Sequence, residues 1–149
     1  MSTIKKANVW LALCALAMGE LVYAAPKVVV NFKNNTADDA LYVRDNSRND
    51  VATYLNASPK PGKVVAGGSS SFTVSANGTS PITYATVRYQ AGVKSCQFTT
   101  SYLMSTTLGG VRMPKWNRSA IASGGAICDV NVTSVNYSNH DWNVSFVMR

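Results

Sequence analysis

Ile82-Thr83-Tyr84-Ala85-Thr86-Val87-Arg88-Tyr89-Gln90 places Ala85, Val87 and Tyr89 on one side of an extended chain and Tyr84, Thr86 and Arg88 on the other. Alternation of period two among β-branched and aromatic residues is the mark of a half-buried strand, because successive side chains of a pleated backbone leave on opposite faces. The same pattern recurs outward in both directions. Toward the C-terminus, Lys94 to Met104 points Cys96 and Phe98 to one face. Ala126 to Val132 then carries Cys128, Val130 and Val132, and Trp142, Val144, Phe146 and Met148 close the chain. Toward the N-terminus, Ser71 to Ser75 turns Phe72 and Val74 inward, and with Lys63 to Ala66 and the Gly67-Gly68 turn it predicts a hairpin. Lys27 to Lys33 aligns Val28, Val30 and Phe32, Leu41 to Arg44 alternates, and Val51 to Leu55 reads as a short strand before the breaker Ser58-Pro59-Lys60-Pro61-Gly62. No long helical period appears after the first two dozen residues.

Strands spaced at about ten residues and joined by polar turns predict an all-β fold, a two-sheet antiparallel sandwich of immunoglobulin-like type. Trp142 is then a core aromatic whose indole N–H needs an acceptor. The last strand is either paired inside its own sheet or an edge able to accept a strand from another chain.

The first residues have a different character. Lys5 and Lys6 precede an apolar run, Ala7 to Met18, and Val22-Tyr23-Ala24 offers the small residues that signal peptidase reads. Residues 1–24 are expected to be a Sec-type signal peptide cleaved after Ala24, leaving residues 25–149 as a single sandwich domain, secreted or periplasmic. The apolar run is shorter than the roughly 20 residues a spanning helix needs, so no transmembrane segment is expected after cleavage. Removal of Lys5, Lys6 and Glu20 lowers the formal charge from +7 to +6, and removal of Cys14 leaves Cys96 and Cys128. In an exported chain such a pair is expected to form one intrachain disulfide, worth roughly 3–4 kcal/mol in the loop-entropy model.

Catalytic equipment is sparse. Glutamate is absent after residue 24, and six aspartates and one histidine remain. His140-Asp141 is the one acid–base neighbour pair, but adjacent strand residues face opposite ways, so it reads as a cap on the turn before the last strand. An enzyme would need His140 to meet an aspartate from a distant segment. Asp38, Asp39, Asp45 and Asp50 are interleaved with Arg44 and Arg48 and fall short of the roughly six to eight oxygens of a calcium site, and zinc lacks ligands. The expectation is a non-enzyme with no metal and no cofactor.

Gly109 to Arg118 shows no strand alternation and reads as a loop. It sets Met113 and Trp116 among Arg112, Lys115 and Arg118, a composition suited to an anionic partner with an apolar part. In the structural alternative, Trp116 tucks over the end of the sandwich and the cations are solvated. Sequons begin at Asn34, Asn56, Asn77, Asn117, Asn131, Asn136 and Asn143, and most read as turn and strand-surface residues that a bacterial export route leaves unmodified.

Val28-Val29-Val30-Asn31-Phe32-Lys33-Asn34-Asn35-Thr36 and Gly67-Gly68-Ser69-Ser70-Ser71-Phe72-Thr73-Val74 resemble segments of the aegerolysins, small β-sandwich proteins of which several bind membrane lipids; the basic balance here departs from that mostly acidic family. Two functions follow as expectations. One is an exported, non-catalytic binding module of the envelope or secreted milieu, with a protein, glycan or envelope component as partner and no nucleic acid. The other is a membrane-active, lipid-binding protein that uses residues 109–118 on an anionic lipid surface and keeps Trp116 exposed.

Overall fold

The computed structural model describes residues 25–76 and 83–149. The expected signal segment and its cleavage point, together with Asn77 and Ile82, lie outside the described residues. The elements in chain order are β1 (Lys27–Asn34), β2 (Leu41–Tyr42), α1 (Arg48–Asn56), β3 (Ala57–Ser58), β4 (Ser69–Ser75), β5 (Thr83–Ala91), β6 (Lys94–Thr106), β7 (Arg112–Ser123), β8 (Cys128–Val135) and β9 (Trp142–Met148). Two sheets pack face to face, one ordered β3-β4-β1-β9-β8 and the other β2-β5-β6-β7.

Strand patterning accounts for the core. Val28, Val30 and Phe32 of β1, Phe72 and Val74 of β4, and Val144, Phe146 and Met148 of β9 are buried against Ala85, Val87 and Tyr89 of β5 and Cys96 and Phe98 of β6. Two ring pairs bridge the sheets. Phe32 stacks on Tyr89 at 3.8 Å between centroids and Phe98 on Phe146 at 4.8 Å. Burial pushes the Tyr89 phenol up to about 12, since a phenolate there would lose its hydration. The Trp142 indole finds its acceptor in Thr100 Oγ1, 3.0 Å away in the buried interior.

Several expectations need correction. The sandwich is mostly β with one short helix, and it is not wholly antiparallel, because β1 runs parallel to β9 from Val28↔Trp142 to Asn34↔Met148. The last strand is accordingly interior to its sheet, between β1 and β8. Val51 to Leu55 is helical. Its β-branched and aromatic residues favour a strand locally, but Ser47 caps the helix by accepting from the Asp50 amide at 3.2 Å. The predicted hairpin at Gly67-Gly68 is replaced by two longer-range pairings: Val64 bridges to Ala40, and Ser69–Ser75 pairs with β1 and β3. Residues 112–118, read as loop, belong to β7.

The two flanks of the sandwich are closed by different means. On one, α1 lies along β5, and Thr53, fully buried, accepts the Thr86 amide through Oγ1 at 2.9 Å. This covers a stretch of the β5 edge that the two-residue β2 is too short to pair. On the other, the Cys96–Cys128 disulfide ties β6 in one sheet to β8 in the other, with Cα atoms 5.7 Å apart. Cys96 is in the core as expected, whereas Cys128 is only half-buried.

Candidate functional site

β6 and β7 form the longest hairpin of the molecule, in register from Ser95↔Ser123 to Thr106↔Arg112. β5 accompanies β6 only as far as Thr83↔Tyr102. The four rungs from Leu103↔Lys115 to Thr106↔Arg112 have no third strand among the described residues; Met104 still packs against the core, and the two rungs beyond it, about 7 Å of ribbon, lead to the exposed turn. The turn at its end is closed by its own backbone: Thr107 N–H donates to Val111 O and Gly110 N–H to Thr107 O, both at 2.9 Å. Gly110 sits at φ 77°, a conformation open to glycine.

Sequence reasoning missed β7 because Pro114 and the Gly-Gly pair break its pattern and because an edge strand is solvated on part of both faces. Pro114 fits there, since a strand with one open edge leaves every second N–H without a sheet partner. The register resolves the faces. Arg112, Pro114, Trp116 and Arg118 lie opposite the inward residues of β6, and Met113, Lys115 and Asn117 opposite the outward ones.

Each predicted site residue can now be placed. Arg112, Met113, Lys115 and Arg118 are exposed. Trp116 is not the exposed anchor that the membrane-active expectation required. It is half-buried against the core, its Nε1 donates to His140 O at 3.3 Å, and its ring lies 5.7 Å from that of Tyr102 and meets the edge of Tyr137 at 5.5 Å. The exposed apolar groups sit further out. Leu108 is fully exposed at the tip, and Val111 and Met113 are 60% and 53% exposed. Leu108 and Val111 bracket Gly109-Gly110, and that pairing of apolar residues around a glycine turn was the available signal.

The electrostatics single out the same element. Residues 51–128 contain no carboxylate. Four ion pairs form elsewhere, Asp39 with Lys63 at 2.6 Å, Asp45 with Arg88 at 3.4 Å, Asp50 with Arg44 at 3.3 Å and Asp129 with Arg149 at 2.6 Å. The hydrogen bond from Lys63 holds the Asp39 carboxyl below its ordinary value, and bonds from Ser47, with the Arg88 charge, do the same for Asp45. Among the described residues no carboxylate pairs with Arg112, Lys115 or Arg118. Of the second sheet's cations, Arg88 is paired, Lys94 stands at the start of β6, and Arg112, Lys115 and Arg118 gather on β7.

The residues considered for chemistry are engaged structurally. His140 Nδ1 shares a hydrogen bond of 2.8 Å with the Tyr102 hydroxyl, and the two rings stack at 5.0 Å. His140 is therefore not isolated, but the group it meets is a phenol and not an aspartate. Its neighbour Asp141 does anchor the turn before β9, accepting the Lys27 amide at 2.7 Å and the Asn139 side chain at 2.9 Å. Asp50 is buried and accepts from Tyr42 Oη at 2.5 Å; burial, then this bond, raises the Tyr42 phenol well above its usual range. Among the described residues no group of three or more histidine, cysteine or acidic side chains is arranged to hold a metal, and no helix is long and apolar enough to cross a membrane.

Asn34 was read as a turn or surface sequon and is instead fully buried. Its Nδ2 donates to the carbonyls of Asp38, Val64 and Val65 at 2.8, 3.2 and 3.1 Å, and its Oδ1 accepts from Thr36 N–H and Thr36 Oγ1. No protein family matches the chain, and no curated protein shows similarity to it.

Proposed function

We propose that this chain is a non-catalytic binding module, working outside the cytoplasm, and that the β6–β7 hairpin is its contact element for an anionic partner. One observation carries this reading: Arg112, Lys115 and Arg118 stand exposed along the single strand β7 and, among the described residues, without carboxylate partners. Opposite charge is attracted to such a site over about a Debye length, roughly 8–10 Å in ordinary buffers, so the arm meets an anionic surface before the sandwich does. The immunoglobulin-like plan belongs to the same proposal, as a stiff body presenting loops and hairpins at its ends. The engagement of His140 with Tyr102 and of the aspartates with cations supports a binding role over a catalytic one.

The test is retention on a polyanion matrix such as dextran sulfate, across a salt gradient. The Arg112→Ala/Lys115→Ala/Arg118→Ala protein is expected to elute at clearly lower salt than the parent. A Lys27→Ala/Arg48→Ala/Lys60→Ala protein, which loses the same net charge elsewhere, is expected to elute close to the parent. Equal shifts in the two variants would mean that net charge alone governs retention, and the hairpin would lose its special standing.

A further inference from the structure

Resting on that reading, we propose that the partner is an anionic lipid bilayer and that the hairpin tip enters its interface, with Leu108, Val111 and Met113 seated among the headgroups and upper acyl chains. The argument is one of order along the arm. At the apex stand Leu108 and Val111, joined by a glycine turn. Arg112 and Met113 follow at the first two rungs, opposite Thr106 and Ser105, and Lys115 stands at the fourth. Apolar groups therefore lead at the apex, and cations and hydroxyls share the rungs behind it, at the depth where phosphates lie, which matches the polarity gradient of a bilayer surface.

The backbone fits the same destination. Unsatisfied N–H and C=O groups are costly away from water, so what enters is the tip, whose turn closes on itself through Thr107, Gly110 and Val111, while the open strand edges behind it stay in the hydrated headgroup layer. The two rungs beyond Met104, about 7 Å, together with the turn match the roughly 5–10 Å of interfacial burial that peripheral elements reach, so the sandwich need not desolvate. A protein partner is less well matched, because the exposed apolar groups at the tip are only Leu108, Val111 and Met113, a small patch beside the roughly 800 Å² a stable protein interface buries on each partner. Strand addition to the open edge of β7 is opposed by Pro114 and three cations, features that blunt edges. A second copy would bring the same cations against themselves.

Co-sedimentation of the purified protein with vesicles tests this, using phosphatidylcholine alone or phosphatidylcholine mixed with phosphatidylglycerol, at low and high salt. Binding is expected with the mixed vesicles at low salt and to fall at high salt. The Leu108→Ser/Val111→Ser/Met113→Ser protein is expected to bind at least about tenfold more weakly while keeping its retention on dextran sulfate. Arg112→Ala and Lys115→Ala are expected to weaken both kinds of binding, by about fivefold per cation on vesicles. Parent protein that is held by dextran sulfate but not by mixed vesicles would overturn the lipid proposal and leave the binding-module reading standing. Protein held by neither would overturn both. Vesicle binding unchanged in the triple serine variant would show electrostatic adhesion without tip entry and sink the proposal, as would sedimentation equilibrium showing that the same three side chains join two copies. Circular dichroism of each variant, matching the parent, excludes misfolding as the cause.

Discussion

Asn34 shows how one side chain can organise a region that carries no regular structure. Its amide nitrogen gathers three carbonyls from two loops and its carbonyl receives both donors of Thr36, so both ends of the amide are used. Asn34→Asp keeps the shape but turns a carboxylate oxygen toward those three carbonyls. Its cost is expected to exceed that of Asn34→Ala, which leaves buried acceptors unpaired at about 1–3 kcal/mol. Urea denaturation of both variants checks the order; an aspartate variant as stable as the parent would contradict the assigned amide orientation. The role was illegible in the sequence, where Asn34-Asn35-Thr36 looks like any polar turn. Val28, Val30 and Phe32 just before it were legible, because period-two alternation reports burial directly while a hydrogen-bond hub depends on loops distant in sequence. The same holds for the candidate site: Arg112, Met113, Lys115 and Arg118 could be read from composition, but Trp116's inward turn depends on Tyr102 and His140, which only the fold brings to it.

At the scale of elements, α1 and β7 were both misread, for opposite reasons. The helix is built from residues that suit a strand and is revealed by its cap, Ser47 with Asp50 three residues on, a pattern visible in the chain. The strand is built from residues that suit a loop and is revealed only by its register with β6. The helix has a specific task, closing the β5 edge through Thr53 Oγ1 on the Thr86 amide. Thr53→Val preserves volume and branching while removing that acceptor. We expect a loss of about 1–3 kcal/mol and faster hydrogen exchange at the Thr86 amide; exchange at the parental rate would mean that packing of α1, and not this bond, protects the edge.

For the whole molecule, the disulfide and the hairpin belong together. Cys96 lies at the base of β6 and is held across the flank to β8, so the long ribbon projects from a root fixed to both sheets. Replacing both cysteines by alanine is expected to lower stability by roughly 3–4 kcal/mol while leaving near-parental retention on dextran sulfate at low temperature, since none of Arg112, Lys115 and Arg118 is touched. Loss of retention in a folded variant would instead make the bond part of the binding apparatus.

The parallel seam between β1 and β9 has a consequence in time. The first strand is completed on one side by β4 but on the other only by residues 142–148, and a strand left open in the middle of a sheet cannot bury both its flanks. During synthesis the chain cannot close its core until nearly all of it is available. Contacts of such sequence separation form late and slowly. A polypeptide that stays open until its final strand arrives is one that export machinery can still carry unfolded.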